Sequence, residues 1–398
     1  MARALRGSHG FYLGCDPELF IVRDAGKVSK RVAVVGSERI LPAADPVGRN
    51  GYCTRDGVQV ELHAFSTGCR QSLSAYIRSA FTSLQSYITD ARVKDPTIRA
   101  TFAPMVTLTK GDKAQLSPEA LILNCKPSLN AYGREQIIRD GNEYPIRTAS
   151  GHLHMGSSLY VGDKIDMNEA VRIHDVLVGI SCVLIDQDPS QKIRRETYGR
   201  AGEYRLPKHG LEYRVPGNFW LKDYVLQSFI FAAARLAGKA CEGMLKNSDA
   251  DCKWARGVLT NVDFAEVERV INENDFDGAL RIYKSTIRPF GDAIVGYAGF
   301  GNHLMNDFEF FVHRIRENAH KAGGGLSAWF NVDDKQVMSR WLNLDNSIGW
   351  ENFLGQRVYA QRQAAKFTGI ILDPVKTKAK SVKAPIAVSE DTDLRVAA

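Results

Sequence analysis

The segment Asp56-Gly57-Val58-Gln59-Val60-Glu61-Leu62 sets the reading of the chain: a turn pair, then a strand candidate over 58–62 with one carboxylate, Glu61, set into it. A few residues on, the period changes. Leu73, Tyr76, Ile77, Ala80, Leu84, Tyr87 and Ile88 recur at three and four, which predicts an amphipathic helix over about 68–91, capped by Ser66 or Thr67. Upstream, Phe11-Tyr12-Leu13 and Leu19-Phe20-Ile21-Val22 flank Cys15-Asp16-Pro17-Glu18, and Asp24-Ala25-Gly26-Lys27 reads as a hairpin turn. Downstream come short β-like pieces from about 100 to 162, a helix over 167–186, a strand over 211–215 and a long helix over roughly 219–246. Further helices are expected at 262–274, 276–288, 304–321, 334–342 and 348–366, and a disordered tail from about Lys376, where apolar residues thin out. Strands interrupted by long helices, then a helical C-terminal third, argue for an α+β fold on an antiparallel sheet rather than βαβ winding. The expected organisation is a sheet-containing catalytic region at 1–220, a mostly helical region at 221–375 packed on it as part of the same unit, and the tail at 376–398.

Composition narrows the function classes. Among 398 residues, 44% are hydrophobic and 24% charged, as in ordinary soluble proteins, and no stretch approaches the roughly 18 apolar residues of a membrane span. The basic start, Met1 to Arg6, is followed by no apolar run, so neither a signal peptide nor membrane contact is expected, and the predicted location is cytoplasmic. Seven cysteines without a C-x-x-C pair point to reduced thiols. The net charge of +7 suits an anionic ligand such as a nucleotide without specifying one, and no nucleic-acid partner is expected. Neither a P-loop nor a G-x-G-x-x-G motif is present.

The chemistry sits in pairs two residues apart: Asp16 with Glu18, His152 with His154, Glu203 with Arg205, and Glu212 with Arg214. On a strand, positions i and i+2 share a face, so each pair would aim into one cleft together with Glu61 and Asp56. Each has a blander reading. Asp-Pro favours a surface turn, Glu61 suits an outward strand position, Glu212 and Arg214 suit a strand-face ion pair, and 194–205 suits a solvated basic loop. His152 and His154, flanked by Gly151 and Gly156, suggest instead a ligand approaching the backbone. Separated carboxylates suit Mg²⁺ or Mn²⁺, and arginines fork onto phosphate, which is the inventory of phosphoryl transfer. Two other readings compete: a zinc hydrolase using His152, His154 and a carboxylate, and a non-catalytic nucleotide-binding or virion-associated protein.

Taken in order, Gly14–Phe20, Asp56–Leu62, Gly151–Gly156, Arg194–Arg205 and Leu211–Val215 resemble the phage-encoded carboxylate–amine ligase family called COOH-NH2 ligase type 2, of the glutamine synthetase/glutamate–cysteine ligase superfamily. The resemblance covers about residues 10–220. It implies a curved antiparallel sheet of that superfamily's type, an ATP- and Mg²⁺- or Mn²⁺-dependent amide-bond synthesis through an acyl-phosphate, and as partners a small-molecule or peptide carboxylate and an amine. It leaves an oligomer open and implies the host cytoplasm for a phage-encoded chain. Carried over by position, Asp16, Glu18, Glu61, Glu212 and His152 are expected as metal ligands, with Asp16, shorter than the family's Glu, standing in a second layer or shaping the turn. Which of His152 and His154 is the ligand stays open, and His154, Arg195, Arg205 and Arg214 are expected at the nucleotide. Glu61, Arg205, Arg214 and Asp56 are expected in catalysis, Asp56 as proton acceptor. Asn130, Tyr132 and Arg134 lie in a candidate substrate loop.

Overall fold

Pro17 has no N–H to give to a ladder, and the sheet is organised around the break it makes. In the computed structural model the described residues are 11–26, 32–43, 51–68, 70–123, 128–162, 164–222, 224–246, 249–287 and 289. The chain enters as β1 (Tyr12–Cys15), breaks at Asp16-Pro17, and continues as β2 (Glu18–Asp24) and β3 (Val32–Val35). A hairpin of β4 (Gly51–Asp56) and β5 (Gln59–Thr67) turns at Gly57, whose φ of 55° only glycine adopts freely. Helix α1 (Arg70–Arg92) follows, then β6 (Arg99–Thr101), β7 (Met105–Thr107), the single turns α2 (Lys110–Lys113) and α3 (Pro118–Leu121), β8 (Leu129–Asn130), β9 (Ile146–Thr148) and β10 (Leu153–Gly156). The second half holds α4 (Met167–His174), α5 (Ile180–Ile185), α6 (Ser190–Arg195), β11 (Glu203–Arg205), β12 (Gly210–Tyr213), α7 (Tyr224–Lys246), α8 (Asp249–Asn261), α9 (Phe264–Glu273) and α10 (Phe276–Ile282).

Ten strands form one sheet in the order β3-β2-β5-β1-β10-β12-β11-β8, with β4 also on β5 and β6 also on β2. Every pairing among them is antiparallel, which confirms the expected α+β class and antiparallel sheet. Because of the Pro17 break, β1 and β2 lie along the same edge of β5, β2 opposite Gln59–Glu61 and β1 opposite Ala64–Thr67. Past the break each finds a different second neighbour: β1 takes β10, and β2 takes β6 and β3.

The register sorts the side chains. Leu13, Met155 and Leu211 lie opposite one another across β1, β10 and β12, and Cys15, Leu153 and Tyr213 form the next row of that face. These six are buried, and helices cover this side: α1 packs on β4 and β5, and α7 on β10. The opposite face carries Gly14, His154, Glu212 and Arg205 in one row across four strands, and Glu18, Glu61 and Thr54 in another. Among the described residues no helix is long and apolar enough to cross a membrane.

Several local readings are corrected. Ser66 and Thr67 finish β5 instead of capping α1. The helix expected over 167–186 is interrupted by a π turn at Asp175–Gly179. The added residue directs Asp175 beneath the sheet, where the Tyr213 hydroxyl donates to its Oδ1 at 2.6 Å. The helix expected from 219 opens as a 3₁₀ turn, Asn218–Lys222. Helix α9 begins at the Asp263 cap and ends at Asn274, in the left-handed conformation, close to the expected 262–274. The 276–288 helix is α10 followed by a π turn at Tyr283–Ile287. Helices α6 and α8 were not expected; α6 begins at Pro189-Ser190, and Arg194 and Arg195 lie in it rather than in a basic loop. Lys27 of the 24–27 turn, the helices expected at 304–321, 334–342 and 348–366, and the tail lie outside the described residues.

Gly151 is explained by packing. A Cβ there would overlap the Trp220 indole nitrogen and the Gly217 carbonyl, so the close approach inferred from the sequence is to the protein's own core. A Cβ on Gly156 would meet nothing nearer than 3.5 Å. Gly151→Ala is therefore expected to lower stability by about 1–3 kcal/mol through overpacking, and Gly156→Ala to leave the unfolding midpoint unchanged or slightly higher. Equal midpoints for the two variants in thermal unfolding would contradict this packing account.

Two buried neighbours in the interrupted helix titrate in opposite senses. Burial pushes His174 down to about 4, a hydrogen bond to the Ala170 carbonyl only partly opposing it. Burial pushes Asp175 up to about 7 against the hydrogen bond from Tyr213. Unfolded His174 takes a proton first, so its contribution falls as pH drops from about 6.5 to about 4, by roughly 3 kcal/mol. Folded Asp175 holds a proton that the unfolded state releases, so its contribution falls as pH rises through the same range to about 7. The two offset each other in the parent chain. Asp175→Asn, which still accepts from Tyr213, is expected to show a stability that rises more steeply with pH between 4 and 6.5 than the parent's does; equal slopes in denaturant melts would refute the assignment.

Candidate functional site

The polar face of the sheet floors a cleft of about 260 Å³, lined on this side by Asp16, Glu18, Asp56, Glu61, His152 and Tyr198, with Arg205 and Arg214 alongside. Strand alternation is what brings them there: Glu18 lies directly opposite Glu61, and His154 directly opposite Glu212. Of the residues singled out in the sequence, Asp16, Glu18, Asp56, Glu61, His152, His154, Arg205, Glu212 and Arg214 are all brought to this one region.

Asp16, freed from the ladder by the break at Pro17, sits between the two histidines. Its Oδ2 is 3.0 Å from His154 Nε2 and its Oδ1 is 3.4 Å from His152 Nδ1. Burial works against its charge, but His154 and His152 together hold its carboxyl well below the usual range. The imidazoles respond differently. Burial opposes protonation of both; beside Asp16 and Glu212 the His154 ring is raised, whereas the deeper His152 ring is lowered, with Arg214 adding to the effect of burial. His152 is held at both ends, its Nδ1 also 3.6 Å from Glu212 Oε1 and its Nε2 3.1 Å from the Tyr198 hydroxyl.

A second group is purely acidic. Burial raises Glu18 well above the carboxylate range, and Asp56 and Glu61 raise it further, although the Ser150 N–H donates to its Oε2 at 2.8 Å. Glu61 and Asp56 are raised too, burial being the first cause in each. His63 moderates Glu61, its Nε2 lying 3.1 Å from Glu61 Oε2 and 2.7 Å from Thr54 Oγ1, with the imidazole stacked on Tyr52. On β12, Glu212 Oε1 accepts from Arg205 Nε at 2.9 Å and lies 3.3 Å from Arg214 Nε. Arg214 also donates to the Tyr198 and Ser128 hydroxyls and lies over the Tyr198 ring, 4.8 Å from its centre.

One set is able to hold a divalent cation. Asp16, His154 and Glu212 each present a ligand atom, and the three atoms lie within 4.8 Å of one another. Asp16 Oδ1 and His154 Nε2 are buried without a well-aligned hydrogen bond among the described residues, their ion-pair contacts at 3.4 Å to His152 and 3.0 Å to Asp16 Oδ2 being poorly directed. Buried ligand atoms that converge with bonding capacity left unfilled are what a coordination set requires, so these residues fit a cation. Two carboxylates and one imidazole suit Mn²⁺ or Mg²⁺. The set contains one histidine, so the pairing of His152 with His154 on a single zinc finds no support in it.

Five other residues of the sequence reading are not brought to the cleft. Arg195 is buried beneath α9, its Nη1 donating at 2.7 Å to both the Ile271 carbonyl and Asn274 Oδ1, which occupies the group expected at phosphate. Glu203 accepts from the Gly199 N–H and from Arg200, closing its own loop. In the 130–134 loop, Asn130 and Tyr132 hold the turn, and Arg134 forms a bidentate pair with Glu268 at 2.7 and 2.9 Å. In the other direction, His63, Thr54, Tyr198 and His209 were missed. His63 follows the same i, i+2 rule from Glu61 and was legible; His209 Nε2, 3.1 Å from His154 Nδ1, arrives from a hairpin and carried no signal.

The family model described as Phage phiEco32-like COOH.NH2 ligase-type 2 matches residues 137–256. This is the family that the motifs resembled. The match takes in Gly151–Gly156, Arg194–Arg205 and Leu211–Val215 and runs on into α7 and α8; Asp16, Glu18, Asp56 and Glu61 precede it. No curated protein matches the chain.

Saturating MnCl₂ or MgCl₂ is expected to raise the unfolding midpoint, by the equivalent of about 2.7 kcal/mol at a hundred times Kd. His154→Ala and Glu212→Gln should each abolish most of that rise. Tightly held, stoichiometric zinc in the purified protein, measured by elemental analysis, would count against an exchangeable Mn²⁺ or Mg²⁺ site.

Proposed function

We propose that the chain, whose residues 137–256 match a family described as a COOH.NH2 ligase, is an ATP-dependent carboxylate–amine ligase that forms an amide through an acyl-phosphate. The observation that carries this reading is the convergence of Asp16, His154 and Glu212 on one point, with Arg205 and Arg214 bonded to the same Glu212. Triphosphate chemistry asks a protein for cation-holding carboxylates, fixed guanidinium charge and little covalent participation, and the cleft offers that set. Divalent ions held by Asp16, His154 and Glu212, and by the facing Glu18 and Glu61, would supply charge neutralisation between the phosphates and the substrate carboxylate.

The residues of the chain then have separable tasks. In the first step a carboxylate oxygen of the substrate bonds to the γ-phosphorus, the bond to the bridging oxygen breaks, and ADP leaves. Arg205 and Arg214, immobilised against Glu212, present positive charge to the cleft without the cost of reorganising during transfer. In the second step the amine nitrogen bonds to the acyl carbon, phosphate leaves and the nitrogen gives up a proton. Asp56 is the acceptor on this reading: burial first, and Asp16 after it, make its carboxylate more basic than in water. His152, clamped between Asp16 and the Tyr198 hydroxyl, fixes the orientation of Asp16.

The test is ADP release in the presence of Mg²⁺ or Mn²⁺, screened over pairs of a carboxylate and an amine. Turnover should depend on both substrates, and Glu61→Gln and Glu212→Gln should each lower it by at least about a hundredfold while the chain stays folded. Turnover undiminished in both variants would end the proposal. Mg-ATP binding without ADP release for any pair would point instead to a nucleotide-binding protein on the same sheet.

A further inference from the structure

Opposite the acidic floor, the cleft has a wall of different chemistry. Ile122 and Leu123, just after α3, and the adjacent Ile137 and Ile138 line it. Ile138 is 83% exposed, Ile122 51% and Ile137 38%, so three branched aliphatic side chains stand in water at a single cleft. Scattered exposed isoleucines need no explanation; several gathered on the wall of one small cavity do.

The wall is also built to stay in place. Beneath α3, Ala120 packs with Phe20, Val34, Val58, Leu108 and Leu116 in a buried cluster. The buried Arg147 guanidinium ties the two wall segments together, donating to the Leu121 carbonyl at 2.9 Å on one side and to the Gly141 carbonyl at 2.6 Å on the other. Gly141 backs directly onto Leu121, where a Cβ would overlap its carbonyl. At the other end, Arg200 donates to the Glu135 carbonyl at 2.6 Å, and Gln136 accepts from the Ser128 N–H at 2.9 Å. A loop pinned at 135–136 and again at 141 thus carries Ile137 and Ile138 between its anchors.

We infer that the carboxylate received by the cleft bears an apolar aliphatic chain, lodged against Ile122, Leu123, Ile137 and Ile138. The inference names the substrate class of the ligase proposed above and rests on that reading. A carboxylate drawn toward Arg205 and Arg214 leaves its tail in the remainder of the same small cavity, where these four residues and Ile146 form an aliphatic strip beside Gln136, Arg139, Tyr144 and Thr148. The two aromatic residues of the lining each carry a guanidinium, Tyr144 that of Arg139 at 5.5 Å from the ring centre and Tyr198 that of Arg214 at 4.8 Å, and the four wall residues offer no ring on which a nucleobase would stack. The apolar tail gains by burial what the isoleucines alone do not, at about fourfold in affinity per methylene.

The experiment is calorimetric titration of the full chain, with Mg²⁺ present, by acetate, butanoate, 4-methylpentanoate and glutarate. Affinity should rise along the first three by about fourfold per added methylene. Glutarate, of similar length but charged at its far end, should bind at least tenfold more weakly than 4-methylpentanoate. Ile138→Asp should cost 4-methylpentanoate at least tenfold and acetate less than twofold, and Val93→Asp, at an exposed helix end outside the cleft lining, should change neither. Equal affinities across the series, tighter glutarate binding, or a loss in Ile138→Asp that falls on the KM for ATP instead would overturn the inference. ADP release with hydroxylamine as the amine reads the ligase reaction separately: the binding preference without ADP release removes the ligase reading and keeps the wall, and turnover of glutarate but not of 4-methylpentanoate does the reverse.

Discussion

Carboxylates from four strands and one strand break meet on a single sheet face, and their mutual repulsion is the constraint that the surrounding structure answers. Asp16, Glu18, Asp56, Glu61 and Glu212 are too close and too buried to carry full charge unaided, as the upward displacement of Glu18, Asp56 and Glu61 shows. Each has been given a partial partner. His152 and His154 hold Asp16, His63 holds Glu61, the Ser150 N–H holds Glu18, and two arginines hold Glu212. A buried charge without such partners costs several kcal/mol, so the network is a condition of folding as well as of any chemistry.

The partners are distributed unevenly. Around Glu212 the guanidinium groups nearly complete the balance, whereas at Glu18, Asp56 and Glu61 burial and mutual repulsion prevail over His63, the Ser150 N–H and, at Asp56, His152 and Arg205. The Asp16, His154 and Glu212 set lies between these two regions, with its ligand atoms converging within 4.8 Å of one another. A sheet face that passes from excess negative charge to fixed positive charge over a few strands is suited to organise a polyanion through cations, and the proposed reaction follows from that gradient more than from any one residue.

Holding such a face in register falls to the other side of the sheet. Tyr213 points away from its neighbours Glu212 and Arg214 and anchors to Asp175, which the π turn has brought under the strand. Gly179 allows that approach, since a Cβ there would press on Ile271 and on the Tyr213 hydroxyl. Gly151 does the same for Trp220 just before β10. The irregularities of the helical layer are thus placed behind the strands that carry His154 and Glu212, where a small slip would separate the ligand atoms.

How much of this was legible in the chain depends on the range of the interaction. Alternation within a strand is local, so the residue types and spacing of Asp16 with Glu18, His152 with His154, and Glu212 with Arg214 announced a polar face, and the period change after Glu61 announced helix α1. The antiparallel class followed from the same patterns. Which strands lie side by side is not local. The exchange of neighbours at Pro17, the alignment of His154 with Glu212, and the arrival of His209 beside His154 rest on pairings between segments far apart in the chain. Arg195 shows the same limit in reverse: its sequence neighbourhood pointed to phosphate, and a helix more than seventy residues away supplied the carbonyl that binds it. The amino-acid sequence determined which groups each strand presents, because side-chain direction repeats every two residues; the tertiary structure alone decided which of them touch, because register and burial are set by the whole sheet.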